Sequence, residues 1–125
     1  MPTQVTRGEI YFVSLDPVVG HEQRGRRPVL VVSADSINRL PLVVTVVVGT
    51  DASKVPQDYP TNVRVSAADT GLPMDTVFYC MQIRSLDHSR FVDPVRPGTI
   101  TPAGSMPKRK MTEIEGALRY VLGMT

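Results

Sequence analysis

The sequence predicts a mainly β fold: a small barrel of five to six strands, mostly antiparallel, with a short internal helix and a C-terminal amphipathic helix. Three observations carry this reading. Short runs rich in β-branched residues recur along the chain. Turn formers separate them at intervals typical of a small barrel or sandwich. Only the last segment repeats its apolar residues at clear helical spacing. With 125 residues and no internal repeat, low-complexity tract or long linker, residues 1–125 read as one domain.

Five runs read as strands: Glu9–Leu15 (EIYFVSL), Pro28–Ser33 (PVLVVS), Leu42–Gly49 (LVVTVVVG), Asn62–Ser66 (NVRVS) and Thr76–Arg84 (TVFYCMQIR). Asp16, Pro17 and Gly20, then Pro56, Asp58 and Pro60, then Gly71, Pro73 and Asp75 supply the turns. Arg90–Val95 is expected to add a short strand. Between the second and third strands, Ala34–Leu40 (ADSINRL) predicts one or two helical turns, with Ser33 or Asp35 as the cap. The run Val43–Val48 is apolar at both alternating phases apart from Thr45. Such a strand is buried on both faces, one toward the barrel and the other toward a helix or a second subunit. Met111, Ile114, Leu118, Val121 and Leu122 fall at helical spacing, giving a terminal helix that starts near Pro107.

Composition excludes several classes. A lone cysteine, Cys80, cannot close an intrachain disulfide and has no partners at zinc-ligand spacing, so a cytoplasmic protein without a metal or cofactor is expected. Cys80 reads as a buried strand thiol and His88 as a surface turn residue. No apolar stretch is long enough to span a bilayer, and the start MPTQVTRGEIYF lacks a signal-peptide pattern, so no membrane association is expected. Fourteen Lys and Arg against twelve Asp and Glu give a net charge of +2. That balance permits an anionic partner without requiring one. Positive charge gathers in His21–Arg27 (HEQRGRR) and in Lys108–Lys110, of which the second reads as a solvated face.

The segment Gly20–Pro28 (GHEQRGRRP) holds the densest chemistry, an imidazole, a carboxylate, an amide and three guanidiniums between two strands. Gly20 and Gly25 let the backbone of this loop bend or approach a ligand closely. Arg27 precedes Pro28, which biases it toward extended backbone, so its planar fork projects from the mouth of a strand. Thr50 follows the valine run and puts a hydroxyl at a strand end. If those strands are neighbours, the two side chains converge.

Together, RGEIYFVSLDPVVGHEQRGRRPVLVVS, the Thr at the end of the third strand, and MQIRSLD resemble the MazF/PemK/Kid family of bacterial toxin endoribonucleases. The resemblance implies an SH3-like barrel, a homodimer and metal-independent cleavage of single-stranded RNA at short sequences. It also implies inhibition by a cognate antitoxin through an acidic, disordered segment. Carried over by position, Arg27 and Thr50 form the catalytic pair. His21, Glu22 and Gln23 match the loop residues that touch RNA, and Gln82 and Arg84 match a later Q-x-R. Some members use an Arg and an Asp just before that Gln. Here Tyr79 and Met81 stand at those places, so that acid/base pair is not transferred.

The chemistry agrees with these residue types. Cutting RNA without a metal requires alignment of the 2′-hydroxyl with the leaving 5′-oxygen, stabilisation of charge on the phosphoryl oxygens, and proton movement at both ends. Arg27 offers parallel donors to phosphate oxygens and Thr50 one more. His21 and Glu22 are candidates for the base that takes the 2′-proton. Two other readings fit a barrel of this kind: a non-enzymatic toxin that poisons gyrase, and an RNA-binding barrel without turnover.

Overall fold

A computed structural model describes residues 4–15, 26–40, 42–93, 95–96 and 98–124. Five of its six strands grow from the valine- and isoleucine-rich runs: β1 (Glu9–Ser14), β2 (Arg26–Val31), β3 (Val43–Asp51), β4 (Asn62–Val65) and β5 (Thr76–Asp87). The sixth, β6 (Gly104–Ser105), has only two residues. They form one curled antiparallel sheet in the order β4-β5-β3-β2-β1-β6. The expected barrel is thus a half-barrel.

Alternation along the strands divides the apolar side chains between two faces. On the inner face, Tyr11, Val13 and Leu15 meet Val29 and Val31 of β2 and Val44, Val46 and Val48 of β3, with Leu86, Phe91 and Ile100 completing the cluster. On the other face, Ile10, Leu30, Val47, Phe78 and Cys80 pack against Met111, Ile114 and Ala117 of α3 (Lys108–Leu122). The valine run of β3 is therefore buried from both sides, and the terminal helix covers one of them. Its first residue, Val43, stays exposed.

Three local outcomes differ from the sequence expectation. The described residues of Arg90–Val95 form no strand. His88–Phe91 form a 3₁₀ turn whose Ser89 amide donates to the Asp87 carboxylate, and Phe91 swings inward edge-to-face on Tyr11, with ring centroids 5.4 Å apart. The internal helix, α1 (Asp35–Asn38), begins at Ala34 without a side-chain cap. Asp35 instead accepts the backbone N–H of Arg7 at 2.8 Å, and Ser33 bonds to Asn38 and Thr45. These tertiary bonds replace the local cap. In α3, Leu122 lies outside the apolar stripe, 56% exposed, and Ala117 takes a core place instead.

A second short helix, α2 (Ala67–Thr70), is capped by Ser66 and closed by Gly71 in the left-handed region at φ 85°. Arg7 binds the start of the sheet to the end of the chain: its guanidinium donates to the Val32 carbonyl at 3.1 Å and pairs with Glu115 of α3 at 2.9 Å. Pro107 begins α3 and Gly123, at φ 69°, ends it.

Past Ile10, β6 no longer covers the outer side of β1. The exposed carbonyls there are occupied by arginines: Arg26 Nη2 donates to Phe12 O at 2.6 Å and Arg90 Nη1 to Ser14 O at 2.6 Å. Among the described residues, no helix is long and apolar enough to cross a membrane.

Candidate active site

Arg27 and Thr50 lie on neighbouring strands. In the β2–β3 ladder Val29 pairs with Val48, Leu30 with Val47 and Val31 with Val46. Arg27 lies two residues beyond Val29 on β2, and Thr50 two residues beyond Val48 on β3, so both stand at the same end of neighbouring strands, past the last pair of the ladder. The period-2 rule gives them the same face, because Arg27 follows Val31 and Val29 on β2, and Thr50 follows Val46 and Val48 on β3.

The neighbouring arginine has a different task. Arg26 points to the other side of β2 and its guanidinium binds the Phe12 carbonyl across β1. Arg27, half-buried and paired with Val13 across β1, is the arginine at the inner face. The basic doublet is thus divided by strand alternation between the margin of β1 and the inner face.

The next strands extend the same row. Thr50 pairs with Val77 of β5, and Val77 with Arg64 of β4. Thr50 is 4% exposed, so a hydroxyl there is held by packing. The segment after Thr50 is fixed by its own bonds. Asp51 accepts the Ser53 amide at 2.9 Å, and Ser53 holds that carboxyl below the usual carboxylate range. Arg64 then closes over the segment, donating to the carbonyls of Val55 at 2.5 Å and Ala52 at 3.4 Å and pairing with Asp58 at 2.9 Å. Arg64 is a support for this region that sequence reading missed. Within NVRVS it has the pattern of a solvent-facing strand residue, and its partners lie 6 to 12 positions away.

Gln82 and Arg84 lie farther along the sheet. The β3–β5 ladder breaks at Val47/Val48: Val48 pairs with Tyr79, but Val47 pairs with Ile83. Cys80, Met81 and Gln82 are the extra residues of the resulting bulge. Beyond it Arg84 pairs with Val46, four residues along β3 from Thr50. At about 3.3 Å per residue this is roughly 13 Å along the strand. Gln82 and Arg84 are half-buried, and their side chains make no hydrogen bond or ion pair with described residues. Both are therefore available to an external ligand. His21, Glu22 and Gln23, the other expected RNA contacts, lie outside the described residues.

The remaining titratable groups have structural surroundings. Burial alone raises the Cys80 thiol to about 11, as befits an inert core thiol. His88 is half-buried, more enclosed than a surface turn residue, and its Nε2 has no hydrogen-bond partner among the described residues. In the basic run at the start of α3, Arg109 pairs with Asp69 and Lys110 with Glu113.

Comparison with known proteins agrees with this architecture. The sequence profile of a family described as PemK-like, MazF-like toxin of type II toxin-antitoxin system matches residues 6–122. Endoribonuclease EndoA of Bacillus subtilis (strain 168) is 39% identical over 92 residues, covering 73% of this chain and 78% of the relative. Endoribonuclease MazF of Staphylococcus epidermidis is 32% identical over 120 residues, covering 96% of this chain and 92% of the relative. Among solved structures, MazF from Deinococcus radiodurans superposes with a TM-score of 0.75 at 28% identity, covering 97% of this chain and 98% of that one. An endoribonuclease from a mycobacterial species, solved with its cognate antitoxin, shares the fold at a TM-score of 0.73 and 23% identity, covering 97% of each chain. This chain belongs to the family of PemK-like, MazF-like toxins of type II toxin-antitoxin systems.

Proposed function

We propose that this toxin is an endoribonuclease that cuts single-stranded RNA without a metal ion, using Arg27 and Thr50 around the scissile phosphodiester. The observation that carries this reading is the β2–β3 ladder, which leaves Arg27 and Thr50, each two residues past its last pair, at one end of the inner face. In the reaction the 2′-oxygen attacks phosphorus as its proton passes to a base, and the bond from phosphorus to the 5′-oxygen breaks as that oxygen gains a proton. The products are a 2′,3′-cyclic phosphate, or a 3′-phosphate after hydrolysis, and a 5′-hydroxyl. Arg27 and Thr50 supply donors to the phosphoryl oxygens as charge builds there.

His21 or Glu22 serves as the base, and Gln23, Gln82 and Arg84 contact the unstacked RNA strand. Single strands suit such a site because their base edges are open to side chains. The same row of cationic and amide groups would receive an acidic, disordered antitoxin segment that covers it. The toxin works as a single-domain subunit of a homodimer in the cytoplasm, and names of relatives that are endoribonucleases or antitoxin-bound support this reading.

The test is incubation of the purified protein with a mixed RNA pool in EDTA, followed by end-group analysis. Cutting that leaves 5′-hydroxyl ends and ceases when the cleaved nucleotide carries 2′-deoxyribose is the expected result. Cutting that persists after that replacement, or an absence of cutting, overturns the proposal.

A further inference from the structure

We infer that Met81 is a specificity-determining residue, an apolar platform that receives one unstacked base of the RNA strand. The inference rests on the ribonuclease reading and adds to it a group that contacts the base instead of the phosphate. Met81 is 68% exposed, although it belongs to β5, a strand whose neighbouring Cys80 and Phe78 are fully buried. Cys80 still donates its amide to Thr61 O at 2.9 Å, so β5 remains extended up to the bulge. Alternation then directs Met81 away from Cys80, to the side that carries Val77 and Tyr79 and therefore Thr50.

The bulge gives this arrangement its purpose. Three residues of β5 stand where β3 advances by a single step, and such irregularities re-aim side chains beside functional sites. Met81 is thereby lifted out of the sheet next to Gln82, whose amide is unengaged by described residues. On the other flank runs the turn before β4, fixed by Thr61 O on Cys80 and by Tyr59 O accepting the Asn62 amide. That turn carries Tyr59, 52% exposed. A flexible thioether next in the chain to an unengaged amide offers a base both a surface to cover and a hydrogen-bonding edge. Met81 lies four residues along β5 from Val77, the partner of Thr50, or roughly 13 Å. It therefore meets a base flanking the cleaved bond, while the bond itself stays with Arg27 and Thr50.

The experiment separates this role from cleavage. The protein, with Met81 and as Met81→Ala, Met81→Lys and Met81→Leu, is used to select binders from a single-stranded 2′-fluoro RNA pool with random positions, which lacks the 2′-hydroxyl nucleophile. Sequencing of the bound RNA reads base preference without turnover. The expected result is a preference at one position that falls about tenfold in Met81→Ala and Met81→Lys and is retained in Met81→Leu. Identical enrichment profiles in all four proteins, or no RNA retained by any of them, overturn the assignment. Failure of the ribonuclease reading would appear separately, as selective binding without cutting of the corresponding 2′-hydroxyl RNA.

Discussion

Gly49 lies against the ring of Phe78. The two pair across β3 and β5, and a Cβ at position 49 would come within 2.8 Å of Phe78 Cε1 and 3.0 Å of Thr76 Cγ2. Phe78 is fully buried and has no open space to retreat into. Gly49→Ala therefore lowers stability by about 1–3 kcal/mol through overpacking. Urea denaturation reads this as a reduced midpoint at an unchanged slope.

Variants at Arg27 and Thr50 should fail in a graded way. Arg27→Ala reduces RNA cleavage by about 10²- to 10³-fold, as loss of a preorganised donor does. Arg27→Lys recovers little, because an ammonium cannot reproduce the two parallel bonds of a guanidinium. Thr50→Val removes the hydroxyl at nearly constant shape and lowers the rate, whereas Thr50→Ser keeps most of it. Single-turnover cleavage rates with matched circular dichroism spectra check each variant.

Arg64 and its exposed partner contribute unequally. Arg64→Ala removes the donors of the Val55 and Ala52 carbonyls and costs about 1–2 kcal/mol. Asp58, whose side chain is 80% exposed, adds little, and Asp58→Asn changes stability by less than about 0.5 kcal/mol. Thermal unfolding of the two variants side by side distinguishes these contributions.

Alkaline conditions act through two buried acids. The Cys80 thiol is raised from 9.0 to about 11 by burial, and the Tyr11 hydroxyl is raised by burial and then by its bond to Glu9. A raised acid binds its proton more tightly in the folded protein. Its contribution is intact below the unfolded pKa and disappears as pH climbs through the folded value. For Cys80 that loss runs from about pH 9 to about pH 11. Stability against urea should decline over this window, less steeply in Cys80→Ala. Iodoacetamide at pH 8 should leave native Cys80 unmodified and alkylate it in denatured protein.

Much of the sheet was legible because its signals are local. The two-phase valine run declared a strand covered on both sides, and the spacing of Met111 and Ile114 declared the helix that covers one of them. Arg90–Val95 misled because Phe91 is apolar for a reason other than strand periodicity: it fills the inner core against Tyr11. The Gly104–Ser105 strand has no composition signal, being defined only by its pairing with Glu9 and Ile10. At the site, the motif singled out Arg27 and Thr50, but their placement at one end of neighbouring strands depends on a long-range pairing that no short segment encodes. The break that exposes Met81 is likewise invisible in TVFYCMQIR, since a bulge exists only relative to the partner strand.

The arginines on the outer carbonyls of β1 also govern how the molecule behaves in a crowd. A strand margin with vacant carbonyls invites a neighbouring chain to extend the sheet, the first step toward fibrous aggregates. Arg26 and Arg90 fill those acceptors with bulky cations, so an incoming strand would meet like charge and occupied hydrogen-bond sites. One half of the arginine doublet thus guards the margin of the sheet against a further strand.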